Sequence, residues 1–309
     1  MSLANTNAMF RRANEQKYAI GAFNVCNMEL IQGISKACFE TKSPVIFQIS
    51  AGAKRYAGRK FLSEIVKIAV EETGIEAALH LDHGNSLELC KECIDNGFTS
   101  VMIDASHLPI SENIQITQQV VEYAQEKNVS VEAELGQLVS YENHKNDSNY
   151  TDPEQACEFI LKTKINSLAV AVGTSHGAYK FKNKVQPFLR FDIIEKIRNM
   201  IPDFPLVLHG ASSVDQNIIS QLLDYGTDLR NAKGVPEGML KKAAKTAICK
   251  MNIDTDLRLS AFLALKKFLS SNPNGTDPRS YFETIRDSVK NTVIRKIKGI
   301  LGSENKAVV

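Results

Sequence analysis

The sequence has almost no net charge and no long apolar run. Its 37 Lys and Arg residues are balanced by 35 Asp and Glu residues, which leaves a formal net charge of +2. Without a strong field of one sign, we expect no binding to nucleic acid or to an anionic membrane. No apolar stretch approaches the about 18 residues that a bilayer crossing needs, and the first residues lack the apolar segment of a signal peptide. We therefore expect a cytoplasmic protein.

Cysteine is also sparse, and its spacing indicates no disulfide framework. The six cysteines are scattered through apparent helices and strands, which in a reducing compartment predicts buried free thiols. Cys90 and Cys93 form a CxxC pair, but no second pair exists and neither Gly nor Pro separates them. A structural role is therefore favoured over a redox or zinc pair.

Eight short apolar runs rich in β-branched residues recur along the 309 residues. They begin at residues 19, 45, 77, 99, 129, 167, 205 and 249, and helical patterns lie between them. Near-continuous apolar strands are typical of a parallel sheet that is covered on both faces. The pattern predicts an α/β fold, a single (β/α)8 TIM barrel over residues 1–309 with extra C-terminal helices from about residue 256. An open doubly wound sheet is the alternative, but no GxGxxG follows the first run.

Histidines collect where the predicted strands end. The dipeptide His-Gly follows strands three, six and seven, at His83, His176 and His209, whereas composition alone predicts about 0.3 occurrences. In a (β/α)8 barrel these strand ends meet at one mouth. Three imidazoles with an open fourth position are the ligand set of catalytic zinc. Each histidine could alternatively be an isolated interior residue, which the repetition at equivalent positions disfavours.

Carboxylates occupy neighbouring strand ends. Asp82 lies next to a predicted ligand, where it is placed to act as a general acid or base. Asp104 and Glu134 are predicted either to orient the imidazoles or to bind metal in an alternate position. Glu132 fits equally well as a buried, paired carboxylate, and His80 is predicted to lie behind the ligands or in the core.

Glycine-containing turns follow strands six, seven and eight at residues 173–180, 210–213 and 252–255. Backbone N–H groups in such turns can hold a phosphate at the position where barrels commonly bind one. The three turns together predict a phosphorylated ligand beside the metal.

Several motifs together carry a resemblance to a known family. "HLDHG", "GFTSVMIDASH", "VSVEAELG", "VGTSHGAYK", "LVLHGAS" and "MNIDTDLR" occur in order over roughly residues 8 to 301 and strongly resemble the class II, metal-dependent fructose-bisphosphate aldolases. The resemblance implies a carbon–carbon lyase of glycolysis and gluconeogenesis. It would cleave fructose 1,6-bisphosphate reversibly to dihydroxyacetone phosphate and glyceraldehyde 3-phosphate, as a homodimer or homotetramer.

The resemblance also implies a role for particular residues. His83, His176 and His209 would bind zinc, with Glu134 and Asp104 at an alternate or second metal position. Asp82 would be the acid/base at the C4 hydroxyl, and Glu142, on the loop after strand five, would protonate the enediolate. Dihydroxyacetone phosphate would be held, with help from a bound Na⁺ or K⁺, by Gly177, Lys180, Gly210, Ala211, Ser212, Asn252, Ile253, Asp254 and Thr255. The other phosphate would meet Ser50, Arg258 and Arg279 of a neighbouring subunit.

The sequence departs from the family pattern in two loops. Ser140 and Tyr141 precede Glu142 in place of the commoner glycine-rich form, and residues 228–236 resemble an insertion found in only some members. The aldolases that use no metal form a Schiff base with a lysine, but predicted strand six contains none.

Three other functions compete with this interpretation. Tagatose-bisphosphate aldolase is the nearest, and Asp254 argues against it. A metal-dependent barrel hydrolase would normally carry a His-x-His on its first strand, where this chain has no histidine. A barrel kept only as a binding protein would not need the intact set of histidines and Asp82.

Overall fold

The computed structural model describes residues 3–58, 60–136, 150–178 and 188–308. Within them, eight parallel strands form a closed barrel in the order of the chain. The predicted (β/α)8 barrel is confirmed, and each of the eight apolar runs contains one strand. The strands are β1 Ile20–Asn24, β2 Val45–Ser50, β3 Ala77–Gly84, β4 Ser100–Ile103, β5 Ser130–Leu135, β6 Ser167–Val170, β7 Leu206–Leu208 and β8 Ile248–Ile253.

Helices surround this barrel. They are α1 Thr6–Gln16, α2 Met28–Thr41, α3 Ala51–Ala57, α4 Phe61–Thr73, α5 Leu87–Asp95, α6 Ile110–Gln125, α7 Pro153–Thr163, α8 Phe191–Met200, α9 Gln216–Asp224, α10 Glu237–Thr246, α11 Thr255–Ser271 and α12 Pro278–Lys296. A π-helical turn, Ile297–Leu301, continues α12. The helices after β8 include the predicted C-terminal additions. None of the helices in the described ranges has both the length and the apolar character that a membrane crossing requires.

Local sequence signals set the helix ends. Asn27, Ser86 and Asp152 each accept a hydrogen bond from the backbone N–H three residues later, which satisfies a donor in the first turn of the helix that follows. Gly74 ends α4 in the left-handed conformation that glycine adopts without strain. These short-range bonds determine where the helices start and stop.

The apolar core has two main parts. The larger part lies between the strands and the surrounding helices. The second lies inside the barrel at the amino ends of the strands, where Met9 and Phe10 of α1 pack against buried residues that include Ile20, Ile46 and Cys249. Helix α1 therefore closes this end of the barrel, and the polar strand ends identified in the sequence lie at the opposite, open end.

The cysteines are free thiols, and Cys90 and Cys93 are buried in α5. Their burial fits the structural role expected of the CxxC pair. Cys26 departs from the expectation of a buried thiol because it lies in the exposed turn after β1.

Candidate active site

The end of β3 places two consecutive residues of "HLDHG" in one cavity. The pairing of β3 with β4 shifts register between Leu81 and Gly84, and His83 has a φ of +51°. A left-handed conformation is uncommon for a residue other than glycine and costs about 1–3 kcal/mol. This bulge interrupts the alternation of a regular strand, so Asp82 and His83 both line the cavity at the barrel mouth.

The three predicted histidine ligands lie together. Each of His83, His176 and His209 offers a ring nitrogen, and these nitrogens lie within 4.8 Å of one another. The centroid of the His83 ring is 5.0 Å from that of His176 and 4.8 Å from that of His209. Residues that are distant in the sequence, on β3, after β6 and after β7, therefore converge on one point.

Hydrogen bonds on the outer side of two rings determine which nitrogen faces this point. His83 Nδ1 lies 2.7 Å from Asp104 Oδ2, and His209 Nε2 lies 2.8 Å from Glu132 Oε1. Each carboxylate accepts the N–H, so His83 Nε2 and His209 Nδ1 face each other 3.1 Å apart. Either a proton on His83 Nε2 or a metal cation beside the two nitrogens prevents repulsion between their lone pairs.

A buried carboxyl oxygen lies close to the histidines. Glu134 Oε2 has no hydrogen-bond partner among the described residues and lies 3.7 Å from His209 Nδ1. An unsatisfied carboxylate oxygen is costly to bury. Three imidazoles and this oxygen together fit a divalent metal ion. His83, Asp104 and Glu134 form a second group whose ligand atoms also lie within 4.8 Å of one another, so the predicted alternate position has suitable donors too.

A buried polar chain supports His209 from behind. Lys250 Nζ donates to Glu132 Oε2 over 2.8 Å and to His80 Nε2 over 3.2 Å. His80 Nδ1 lies 2.8 Å from Ser100 Oγ. Lys250 and Glu132 are 0% and 1% exposed. Glu132 is thus a buried, paired carboxylate that also fixes the tautomer of His209, one of the alternatives left open by the sequence.

Two asparagines hold Asp82. Asn24 Nδ2 donates to Asp82 Oδ2 over 2.6 Å, and Asn252 Nδ2 donates to Oδ1 over 3.2 Å. Gln48 in turn donates to Asn24 Oδ1 over 3.0 Å. Burial alone would raise the pKa of Asp82, but the positive charges of His83, His209 and Lys250 outweigh it and lower the pKa. Asp82 is therefore an ionised, oriented carboxylate at neutral pH.

The pKa values of the other groups reflect their crowding. Burial lowers the pKa of His83, but the hydrogen bond to Asp104 and the charges of Asp82 and Glu134 raise it to about 9. Burial and the charge of Asp104 raise the pKa of Glu134 to about 8. Burial, together with the charge of His83, lowers the pKa of His209. A bound cation would favour neutral His83 and ionised Glu134, so metal binding and proton loss are coupled here.

A cavity of about 260 Å³ opens at the mouth. Ten residues predicted from the sequence line it, together with Asn24: Asp82, His83, His176, Gly177, Gly210, Ser212, Asn252, Asp254, Thr255 and Arg258. Arg258 pairs with Asp254 through two hydrogen-bonding contacts of 2.8 Å. The predicted phosphate ligands of β7 and β8 thus lie beside the histidines.

Four predicted substrate-binding residues of the described ranges do not line this cavity. The backbone N–H of Ala211 donates to Asn252 O over 3.0 Å and is therefore not free for a phosphate, and Ile253 is buried in the core. Ser50 caps α3. Arg279, 90% exposed, pairs with Asp277 at the start of α12 and does not line the cavity. Glu142 and Lys180 lie outside the described residues.

Sequence reasoning missed Asn24, Gln48 and Lys250. The available signal was a polar residue within a mainly apolar run, as in "GAFN", "VIFQIS" and "CKMNI". In a strand that is buried on both faces, such a residue needs a polar partner inside the barrel. The sequence does not show which partner that is.

The fold and this site define a (β/α)8-barrel enzyme of the metal-dependent type. The chain belongs to the class-II fructose-bisphosphate aldolase family, whose family model matches residues 4–306. The predicted family is confirmed, and with it the predicted enzyme class, an aldolase and hence a lyase. The family implies a metal cofactor and sugar phosphates as substrates, and it favours an aldolase over the barrel hydrolase considered above.

Relatives of known name support the same assignment. The chain is 44% identical to fructose-bisphosphate aldolase of Treponema pallidum (strain Nichols) over 326 residues, covering 99% of this chain and 98% of that protein. It is 43% identical to the enzyme of that name from Giardia intestinalis, covering 96% and 93% of the two chains. The crystal structure of the YdjI aldolase from Escherichia coli K12 superposes with a TM-score of 0.80 at 30% identity, covering 99% of this chain and 100% of that one.

Proposed function

We propose that this protein catalyses the reversible cleavage of fructose 1,6-bisphosphate to dihydroxyacetone phosphate and glyceraldehyde 3-phosphate, in glycolysis and gluconeogenesis in the cytoplasm. The observation that carries the proposal is the buried Asp82 carboxylate, which two asparagines hold next to three convergent histidines. This arrangement combines a base of fixed direction with donors for a metal. The printed names of the full-length relatives support the choice of substrate.

The metal that we assign is zinc, held by His83, His176 and His209. Neutral imidazole nitrogens with one open position suit catalytic zinc. When bound, the ion supplies a positive charge beside the C2 carbonyl oxygen and stabilises the negative charge that develops there. Asp104 and Glu134 are assigned to the alternate position.

The protein's own groups move the protons. Asp82, ionised at neutral pH, accepts the proton of the C4 hydroxyl as the C3–C4 bond breaks and the C4 oxygen forms the aldehyde. The electron pair of the broken bond moves to the C2–C3 fragment and forms an enediolate. We assign the return of a proton to C3 to Glu142 on the loop after β5. Asn24 and Asn252 keep the carboxylate of Asp82 aimed at the C4 hydroxyl throughout.

The two phosphates are assigned to different sets of residues. Gly177, Gly210, Ser212 and Thr255, with Lys180 and a bound Na⁺ or K⁺, form the site for dihydroxyacetone phosphate. Ser50, Arg258 and the Arg279 of a neighbouring subunit are assigned to the other phosphate. The assignment of Arg279 requires at least a homodimer, and a homotetramer is the larger alternative. Each chain forms one domain over residues 1–309.

The first test is cleavage of fructose 1,6-bisphosphate, coupled to detection of triose phosphate, before and after EDTA and again after zinc is restored. We expect loss with EDTA, recovery with zinc, and a strong preference over tagatose 1,6-bisphosphate. If tagatose 1,6-bisphosphate is cleaved equally well or better, the protein is a tagatose-bisphosphate aldolase instead. Activity that resists EDTA would overturn the metal-dependent mechanism.

Variants make the test specific to the site. Asp82→Asn removes the proton acceptor but keeps the size of the side chain, so we expect kcat to fall about 10²–10⁴-fold with zinc content unchanged. Asp95→Asn is the matched control, because Asp95 lies on the surface at the end of α5 and pairs with Tyr123 and Lys127. Equal losses in both variants would remove Asp82 from the mechanism.

A further inference from the structure

The loop after β7 has an unusual backbone. Its sequence is "GASSV", and Ser212 lines the cavity. Val214 has a φ of +52°, a conformation that β-branched residues adopt only when their surroundings impose it. Something in the structure must therefore hold residues 213 and 214 in place.

Asp256, in the first turn of α11, holds both residues. Its Oδ2 accepts a hydrogen bond from the backbone N–H of Ser213 over 2.9 Å, and its Oδ1 accepts one from Val214 over 2.8 Å. The carboxylate is 1% exposed, so the two bonds are protected from water. One side chain thus fixes two successive peptide groups.

Lys296, the last residue of α12, completes this arrangement. Its Nζ lies 2.9 Å from Asp256 Oδ2, and its side chain is 0% exposed. It also donates to Ser213 Oγ, and Glu237 Oε1 lies 3.4 Å away. The ammonium group therefore contacts both the carboxylate and the loop, and it comes from a helix that lies outside the eightfold barrel repeat.

The segment at residues 228–236 contacts the same loop from another side. A Cβ on Gly234 would lie 2.2 Å from the carbonyl carbon of Ser213, so only glycine fits there. The N–H of Val235 donates to Ser212 O over 3.1 Å, and the N–H of Lys233 donates to Ala178 O over 2.9 Å. The segment thus bonds to the loops after β6 and β7, both of which contribute residues to the cavity.

We propose that Lys296 and Asp256 are positioning residues for the phosphate of dihydroxyacetone phosphate. They hold Ser213 and Val214, which fixes Ser212 and the turn from Gly210 in the geometry that receives the phosphate. The inference rests on the proposed function, because it takes the ligand of this loop to be a phosphate. It assigns to the C-terminal helices a role in substrate binding that the barrel repeat alone does not supply.

The test compares two metal-chelating inhibitors that differ only in a phosphate. Glycolohydroxamate and phosphoglycolohydroxamate carry the same chelating group, and only the second has a phosphate. We expect Lys296→Met in the zinc-loaded protein to weaken binding of the phosphate-bearing inhibitor by about tenfold or more. Binding of the phosphate-free inhibitor should weaken by no more than about twofold. Equal weakening of both, or of neither, would overturn the proposal.

Lys290→Met is the matched control. Lys290 lies on the same helix, and its Nζ is 3.0 Å from Glu40 on α2, so its loss perturbs the docking of α12 without touching the loop. We expect the ratio of the two dissociation constants, measured by calorimetric titration, to stay within about twofold of that of the unmodified protein. A change in this ratio as large as that of Lys296→Met would reduce the role of Lys296 to packing of the helix.

A second variant tests the proposal if Lys296→Met does not fold. An added glycine then separates a role in positioning the loop from a role in stability. Asp256→Asn keeps the shape of the side chain and is expected to change the same ratio. Adding Val214→Gly to either variant should restore much of the phosphate preference, because glycine adopts a φ near +52° without help. No recovery would contradict the role given to the strained backbone.

The comparison also separates the two proposals. Suppose that the unmodified protein does not cleave fructose 1,6-bisphosphate but still prefers the phosphate-bearing inhibitor. The proposed function then fails, while the effect of Lys296→Met on that preference still tests the positioning role. If the unmodified protein cleaves the sugar but Lys296→Met leaves the inhibitor ratio unchanged, the proposed function stands and the positioning role is overturned.

Discussion

At the scale of single residues, His209 depends on groups that never reach the cavity. Its Nε2 is hydrogen-bonded to Glu132, which forms an ion pair with Lys250 in the barrel interior. The carboxylate keeps the proton on Nε2 and so leaves Nδ1 free to bind a metal. The ammonium group in turn compensates the buried charge of the carboxylate. The same buried ion pair therefore both orients the His209 ring and balances the charge of the Glu132 carboxylate.

We predict that Glu132→Gln and Lys250→Met each lower the affinity for zinc by about 10–100-fold. The reason is that either change frees the His209 ring to rotate or to take the other tautomer. Affinity should be measured by competition with a chromogenic chelator. Glu158→Gln is the control, since Glu158 pairs with Lys162 on the exposed surface of α7. Unchanged zinc affinity in both interior variants would show that His209 is held by packing alone.

A second prediction concerns the protons of the same site. His83 has a pKa raised to about 9 and Glu134 one raised to about 8, so both are mostly protonated at pH 7. A metal ion requires the unprotonated forms, and loading at pH 7 should therefore release about two protons. The release should fall towards zero above pH 9, while the affinity for metal rises between pH 7 and 9. Calorimetry of zinc binding in buffers of different ionisation enthalpy measures this number, and a release that does not vary with pH would contradict it.

The convergence of the three histidines was predictable because three His-Gly pairs repeat at equivalent strand ends. Asn24, Gln48 and Lys250 were not, because they share no repeated motif. Their partners are set by strand register, which pairs Asn24 with Gln48 across β1 and β2 and Gln48 with His80 across β2 and β3. Register in a closed barrel is a property of all eight strands together, so no local stretch encodes it.

At the scale of elements, glycine allows the loops after β6 and β7 to approach closely. Gly210 has a φ of +60°, and a Cβ there would lie 2.4 Å from Ser175 O. Gly177 has a φ of +85°, but no atom of the described residues lies within 4 Å of its Cβ position. The same dipeptide, His-Gly, therefore serves two purposes: backbone contact at Gly210 and conformation alone at Gly177.

This difference gives a paired prediction on stability. Gly177→Ala adds only backbone strain and should lower the free energy of unfolding by about 1 kcal/mol. Gly210→Ala adds a clash with backbone and should lower it by about 2–4 kcal/mol. Urea unfolding of the zinc-free proteins measures both values without a contribution from the metal. Equal effects would mean that the loop after β6 moves aside at little cost.

The elements themselves were largely predictable, since apolar runs and helix caps are local signals. The bulge in β3 was not, because it arises from the pairing of β3 with β4 and from close contact of Gly84 with Met102 O. Nor did the sequence show that residues 228–236 bond to two loops of the site. The family resemblance identified the segment as an insertion but carried no information about its contacts.

At the scale of the whole molecule, the proposed site is incomplete within one chain. Arg279 lies at the start of α12, exposed and outside the cavity, whereas the resemblance assigns it to a substrate phosphate. Both statements hold together if the arginine serves the site of a neighbouring subunit. Assembly would then be a condition of activity rather than only of stability.

Mixing two inactive variants tests this arrangement. Asp82→Asn abolishes proton removal in its own subunit, and Arg279→Ala removes the phosphate contact that its subunit would give to the neighbour. A mixed dimer contains one site with both residues intact, so random exchange should restore about a quarter of the original activity. Two Asp82→Asn proteins with distinct tags, mixed in the same way, are the control. No recovery, despite exchange shown by the tags, would place Arg279 outside the reaction.

The closure of the barrel has a consequence for how the protein matures in the cell. β1 pairs with β8, and Lys250 of β8 secures the carboxylate that orients His209. A nascent chain still lacking β8 has all three histidines but neither the closed barrel nor Lys250. We therefore expect the proposed zinc ion to bind only after synthesis is nearly complete, so that unfinished or truncated chains do not compete with the finished protein for it.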